Sequence, residues 1–236
     1  MNDLPRALIL KSEHYDDVYF SVHDGLAESR HVFLQGNNLP ERLEAFEQES
    51  FTICETGFGT GLNFLSFWQM WKAQKEENRP KRFKYISFEK YPLTNEFIKE
   101  NLSYWEESLG EVLKQYLDIY PAGLNQKKYI LPVGEDGELI LVFGDVNEEM
   151  PKLQDKVDCW FLDGFKPSCN PDMWSETVFQ NMARLSNSDA SFATFTAAGF
   201  VRRGLERVGF DVRKVKGYGR KREMCIGTYK GRWSCA

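Results

Sequence analysis

Histidine is scarce in this 236-residue chain, and the three present, His14, His23 and His31, all fall near its start. None is paired with a nucleophile or set at metal-ligand spacing, which argues against a hydrolase triad and a histidine metal site. The five cysteines, Cys54, Cys159, Cys169, Cys225 and Cys235, are odd in number and contain no CxxC pair. A disulfide framework and a zinc site are therefore excluded, and Cys54, Cys159 and Cys225, set in apolar runs, read as buried thiols. No apolar run approaches the roughly 18–20 residues of a membrane span. The start, Met1-Asn-Asp-Leu-Pro-Arg, lacks the charged and apolar regions of a signal peptide. The expectation is a cytoplasmic protein without metal.

What is present suits a soluble globular protein: 42% hydrophobic and 28% charged residues, in a length that fits one sizeable domain. The net charge of -5 does not advertise a polyanionic partner, but its distribution does. Arg202, Arg203, Arg207, Arg213, Lys214, Lys216, Arg220, Lys221 and Arg222 lie close together, against only Glu206 and Asp211. A basic face on an acidic protein can steer a polyanion to one site without broad non-specific binding.

Short apolar strands alternate with helical patterns. Residues 51–54, 83–88, 138–143, 157–162 and 190–196 read as strands, with helices over 62–72, 93–120 (broken near Gly110 and stopped by Pro121) and 199–208. Two further strands, 212–216 and 224–229, flank a glycine-rich basic turn. Such alternation predicts a mostly parallel sheet covered on both faces, with ligands at the carboxyl ends of its strands. The polar segment 121–137 is expected to be a surface hairpin or loop. In the first 50 residues, 18–21 and 31–34 are expected to pair as a β-hairpin around Asp24-Gly25.

The chemistry gathers at the strand ends. Glu55-Thr-Gly-Phe-Gly-Thr-Gly61 follows a strand and opens a helix, and its glycines allow a tight turn with a ligand against the backbone. The dinucleotide fingerprint GxGxxG needs its third glycine where Leu62 stands, which disfavours a nicotinamide-dependent oxidoreductase. Glu55 would repel a phosphate but could hold the ammonium of a methionine moiety. Glu89, Asp145 and Asp163 each follow another apolar strand. Glu89 could accept both hydroxyls of a ribose, and Asp145 either the adenine amine or the amides of a helix start. Together they favour an adenosine-containing cofactor, S-adenosylmethionine. Asp163, beyond the fourth strand, is the candidate to position an acceptor amine, with Phe165, Pro167 and Trp174 as walls or packing.

At these residues the chain resembles the methyltransferase domain of the MnmC family. The carriers are Asp17-Val-Tyr-Phe-Ser, the Glu55 loop through Asn63-Phe, Phe88-Glu-Lys-Tyr-Pro-Leu-Thr94, Trp160-Phe-Leu-Asp-Gly-Phe165, Asn170-Pro-Asp-Met-Trp174, Ala193-Thr-Phe-Thr196, Gly199-Phe-Val-Arg-Arg-Gly204 and Gly219-Arg-Lys-Arg-Glu-Met224. The resemblance covers nearly the whole chain. It implies a class I, Rossmann-like α/β fold with a mostly parallel seven-stranded sheet, helices on both faces and a C-terminal antiparallel hairpin. Residues 1–50 would form a substrate-side extension, and 51–236 the S-adenosylmethionine-dependent methyltransferase domain. It implies N-methylation of the 5-aminomethyl group of a wobble 2-thiouridine in tRNA.

The resemblance further implies that Glu55, Gly57, Phe58, Gly59, Thr60, Gly61, Asn63, Glu89, Lys90, Asp145, Val146 and Asp163 surround the cofactor. Asp163 and Phe165 would be the catalytic pair. Arg202, Arg203, Lys216, Tyr218, Arg220, Lys221 and Arg222 would meet the tRNA anticodon loop, with Tyr218 stacking on a splayed base. Many relatives add an FAD-dependent oxidase, fused or separate. No second glycine-rich fingerprint occurs here, so no FAD is expected in this chain. The sequence departs from the family at Lys166, Cys169 and Asn187-Ser-Asp189. Two other readings remain open: a methyltransferase for a small-molecule or protein amine, and an RNA-binding module with a dead pocket.

Overall fold

In the strand Arg82–Glu89, Phe83 and Tyr85 enter one hydrophobic layer while Ile86 and Phe88 enter another. Strands Gly137–Phe143 and Val157–Leu162 divide their side chains in the same way, Leu139, Leu141 and Phe161 to the first layer and Ile140, Val142 and Trp160 to the second. A strand apolar on both faces must be covered on both faces, so helices pack above and below the sheet. Each large side chain fully buried in these layers contributes roughly 1.5–3 kcal/mol.

The computed structural model describes residues 24–231. His14, His23, Cys235 and the expected strand at 18–21 lie outside them. The chain runs α1 (Gly25–Ser29), a π-helical segment Arg30–Gln35, α2 (Leu39–Glu44), β1 (Ser50–Thr56), α3 (Leu62–Ala73) and β2 (Arg82–Glu89). Next come α4 (Asn95–Leu102), α5 (Glu106–Leu109), α6 (Glu111–Ile119), β3 (Lys128–Val133), β4 (Gly137–Phe143), α7 (Val146–Glu149) and β5 (Val157–Leu162). The last part is α8 (Glu176–Leu185), β6 (Ser186–Thr194), α9 (Gly199–Arg207), β7 (Phe210–Lys216) and β8 (Glu223–Tyr229).

The strand order is β3-β4-β2-β1-β5-β6-β8-β7, with β4, β2, β1, β5 and β6 parallel. The chain winds outward from β1 in both directions, so the order reverses between β1 and β5. A crevice at the carboxyl ends of the strands there is the expected place for a ligand. The sheet is of the anticipated Rossmann-like kind, with β7 and β8 as its antiparallel hairpin.

Among the described residues the sheet has eight strands where seven were expected. The added one, β3, pairs antiparallel with β4 and comes from the polar 121–137 segment. Its residues alternate between exposed and half-buried along most of its length and include Pro132, which an edge strand tolerates.

The hairpin expected around Asp24-Gly25 requires correction. Asp24 instead caps α1, accepting from the Leu26 and Ala27 amides, and His31–Leu34 falls in the π-helical segment. Val32, Phe33 and Leu34 are all buried, and Phe33 stacks on Phe161 at 5.1 Å. Tertiary burial overrides the β propensity of this short run. In the departing segment Asn187-Ser-Asp189, Asp189 adopts the left-handed conformation with φ 58° and pairs with Lys230 at 2.7 Å.

Candidate active site

Gly57, Gly59 and Gly61 all have positive φ (82°, 54° and 81°), and two of them face crowded surroundings. A Cβ on Gly57 would stand 3.0 Å from the Gly164 Cα, and one on Gly61 would stand 2.7 Å from the Tyr116 hydroxyl. The loop therefore wraps closely against the β5 end on one side and α6 on the other. Its amides return to β2, with Gly57 N and Phe58 N both donating to the Phe88 carbonyl. A cleft partly open to solvent lies beside it. Its lining includes Gly57, Glu89, Lys90, Asp145, Val146 and Phe165 from the expected set, joined by Tyr91, Gly144, Gly164, Asp172 and Met173.

The four strand-end carboxylates come from β4, β2, β1 and β5, which are consecutive in the sheet, but they do not share one level. Thr56 is level with Phe88 and with Leu162, so Gly57, Glu89 and Asp163 stand at the rim. Glu55 sits two residues deeper and is fully buried. Its Oε1 accepts from Asn63 Nδ2 at 2.8 Å and its Oε2 from Ser87 Oγ at 2.7 Å. Burial first, and the nearby Asp163 second, push its carboxyl well above the ordinary range.

Glu89 is held by backbone, its two oxygens accepting from Gly59 N and Tyr91 N at 2.9 Å each. Burial raises its carboxyl in spite of those donors. Asp145 caps α7 through the Asn147 amide and accepts from Lys90 Nζ at 2.8 Å. Burial alone would raise it, but the Lys90 and Asn147 donors prevail and hold it below its ordinary value.

Asp163 accepts from Asn63 Nδ2 at 2.6 Å and from Gly164 N at 2.8 Å. Burial pushes its carboxyl up to about 7, against the pull of those two donors. Asp163 does not itself line the cleft but directly precedes Gly164, which does, and a carboxyl that titrates near neutrality can take a proton from an amine. Phe165, two residues on, lines the cleft, and its carbonyl accepts from Trp174 Nε1 at 3.2 Å.

Other expected loop residues do structural work. Phe58 is buried with its ring parallel to that of Tyr120, and the Thr60 carbonyl accepts from the Tyr116 hydroxyl. Asn63 joins the buried Glu55 to the half-buried Asp163. The basic residues lie on two elements. Arg203 on α9, and Lys216, Arg220, Lys221 and Arg222 at the β7–β8 turn, are exposed, while Arg202 and Tyr218 are half-buried. His31 Nε2 meets the Lys216 carbonyl at 3.1 Å, and its ring lies 5.9 Å from that of Tyr218, so the turn leans on the N-terminal helices. Sequence spacing carried no signal for that contact. Among the described residues no cluster of three His, Cys, Asp or Glu could hold a metal, and no helix is long and apolar enough to cross a membrane.

A cleft at the strand-order reversal, floored by glycines and edged by a backbone-held glutamate, defines a nucleoside-binding protein of the Rossmann-like methyltransferase class. The profile of a family described as S-adenosyl-L-methionine-dependent methyltransferases matches residues 107–230, and the chain belongs to that family. It is similar to the tRNA 5-methylaminomethyl-2-thiouridine biosynthesis bifunctional protein MnmC of Aliivibrio fischeri, 49% identical over 226 residues. That match covers 92% of this chain and 33% of the relative. The Vibrio campbellii protein of the same name is 47% identical over 231 residues, covering 94% and 34%. The chain thus spans about a third of the length of these curated relatives. In fold it is similar to MnmC2 from Aquifex aeolicus, with a TM-score of 0.73 and 23% identity over 92% of this chain and 65% of that one.

S-adenosylmethionine is the family's cofactor, and the residues present suit it. A Cβ at Gly57 would press on the Gly164 backbone at 3.0 Å in a left-handed backbone, and Glu89 presents a carboxyl fixed by the main chain.

Proposed function

We propose that this chain methylates the 5-aminomethyl nitrogen of a wobble 2-thiouridine in tRNA, giving 5-methylaminomethyl-2-thiouridine. Glu89 would hold the ribose of the cofactor, Asp145 and Val146 its base, and the Gly57–Gly61 loop its remaining chain. Bound there, the cofactor supplies an electrophilic methyl group on a sulfonium. Everything else falls to the protein. A primary alkyl ammonium has no lone pair, so one proton must leave before its nitrogen can attack. Asp163 accepts that proton and passes it to solvent, and the carboxylate so regenerated steadies the positive charge that grows on nitrogen during the attack. Asn63 and the Gly164 amide fix its orientation. Phe165 supports the flat face of the pyrimidine.

The observation that carries this reading is Asp163 itself: a half-buried carboxyl, titrating at about 7, next to the cleft-lining Gly164 and Phe165. The exposed basic turn at Arg220, Lys221 and Arg222 favours RNA over a small-molecule or protein amine as the acceptor. An FAD-dependent oxidase, fused to this domain or separate, would supply the unmethylated amine, in keeping with relatives that are longer and named bifunctional. The test is mass spectrometry of wobble nucleosides after incubation with isotopically labelled cofactor and tRNA bearing the free aminomethyl group. Label in the side-chain amine supports the proposal. Unlabelled nucleosides, with turnover of a free amine in their place, would transfer the assignment to a small-molecule enzyme.

A further inference from the structure

A primary ammonium already sits next to the acceptor loop, and it belongs to the protein. Lys221 Nζ lies 2.8 Å from Glu28 Oε1 and 4.5 Å from the centroid of the Phe195 ring. Carboxylate and aromatic face together form the cradle that suits an alkyl ammonium. The cradle adjoins the acceptor loop: Phe195 packs edge-on against Trp174 at 6.2 Å, and Trp174 donates to the Phe165 carbonyl. Both charges are felt at Asp163, where Glu28 raises the carboxyl and Lys221 lowers it. The two partners differ in access, since the Glu28 side chain is 15% exposed and that of Lys221 44%. The lysine can swing out, whereas the glutamate stays on α1.

The end of a lysine side chain, CH2–NH3⁺, is the same group as the aminomethyl substituent of the proposed acceptor. We propose that Glu28 is a specificity-determining residue of the acceptor site. Its carboxylate and the face of Phe195 receive the acceptor's ammonium group, and Lys221 keeps that place until RNA draws it away. The inference rests on the reading of the acceptor as an aminomethyl-bearing RNA. It explains why a basic residue of the RNA-facing turn is tied to an acid. A phosphate that engages Lys221 vacates Glu28, so RNA docking and amine recognition are linked. A plain uridine, with no cation to offer, leaves Glu28 without a partner and gains nothing from the exchange.

The test compares two anticodon stem-loop RNAs, identical except for a 5-aminomethyl or an unmodified uridine at the wobble position. Their affinities are measured for the wild-type protein, Glu28→Gln and Lys221→Met, each with S-adenosylhomocysteine bound. The wild type is expected to prefer the aminomethyl RNA, and Glu28→Gln to lose roughly tenfold of that preference. Binding of the unmodified RNA by Glu28→Gln should be unchanged or tighter, because Lys221 no longer has to leave a carboxylate. Lys221→Met should weaken both RNAs alike and keep the preference. If Glu28→Gln keeps the preference, or weakens both RNAs equally, the assignment of Glu28 is overturned. A thermal shift with S-adenosylhomocysteine equal to that of the wild type establishes that the variant is folded. Should Glu28→Gln fail that control, Glu28→Asp, shorter but still charged, is expected to keep part of the preference, and complete loss or full retention counts against the proposal. A wild-type protein that binds neither RNA and transfers no methyl defeats the RNA reading itself. One that methylates the RNA while Glu28→Gln discriminates normally defeats only the inference about Glu28.

Discussion

Asn63 and Asp163 are joined by a 2.6 Å hydrogen bond, and the same Asn63 nitrogen also donates to Glu55 at 2.8 Å. One amide thus spans a deep carboxyl and a rim carboxyl, with both of its protons committed. Glu55 anchors Asn63, and Asn63 aims Asp163. Because Asn63 donates to the charged form of Asp163, it opposes the effect of burial.

Replacing Asn63 with alanine removes that opposition. Methyl transfer requires ionised Asp163, so its rate should fall as pH drops through about 7 in the wild type. In Asn63→Ala the Asp163 carboxyl rises further and the acid limb of kcat/KM moves to higher pH. A profile that keeps its midpoint while only its height falls would show that Asn63 acts through packing alone. In Asp163→Ala transfer should fall by roughly 100-fold or more. S-adenosylhomocysteine should still raise the melting temperature of that variant, and loss of both effects together would place Asp163 in the cofactor shell.

The sheet was legible because both faces of its central strands are apolar and each strand stops at a glycine or an acid. The register between strands was not. Glu55 and Asp163 look equivalent in sequence, each ending an apolar run, yet pairing with β2 and β5 sets Glu55 two residues below the rim. Strand β3 was hidden because an exposed edge needs no apolar alternation, and the helical turn at His31–Leu34 because burial outweighs propensity in so short a run. The Glu28–Lys221 pair spans nearly the whole chain, a separation that no local pattern encodes.

The glycine loop offers a test of the cofactor cradle. Gly57 combines φ 82° with a β-carbon position 3.0 Å from the Gly164 backbone, so Gly57→Ala forces the loop and the β5 end apart. Strain of this kind should weaken S-adenosylhomocysteine binding by roughly tenfold, as read by titration calorimetry. Unaltered affinity would mean that the cofactor does not lie against Gly57.

Charge at the hairpin turn should be read in salt dependence rather than in affinity alone. Arg220 and Arg222 are exposed, whereas Arg207 is paired with Glu176 at 2.9 Å. Removing Arg220 and Arg222 together should reduce the slope of log K against log salt by about 1.4 for single-stranded contacts. Arg207→Ala should leave the slope where it was. Equal effects from both variants would point to a diffuse field instead of a docking turn.

Burial of Asp163 also leaves a mark on stability. Its carboxyl stands at about 7 in the folded protein, against an ordinary value of 3.8. Between those values the folded state binds a proton that the unfolded chain has released. The resulting stabilisation is complete below the lower value and is lost as pH rises through about 7. Asp163→Asn cannot ionise, so it escapes this loss. The variant should therefore gain on the wild type as pH goes from 5 to 8, by about 2 kcal/mol or roughly 4–8 °C in melting temperature. Glu55 is raised in the same direction and in part by Asp163, so in Asp163→Asn it relaxes toward its ordinary range, which adds to the gap in the same direction. A gap that stays constant with pH, or that narrows, would mean that Asp163 is already ionised in the folded state at pH 5. Its carboxylate would then be too weak a base to take a proton from an amine at neutral pH, and the acid–base role assigned to it would have to pass to another group.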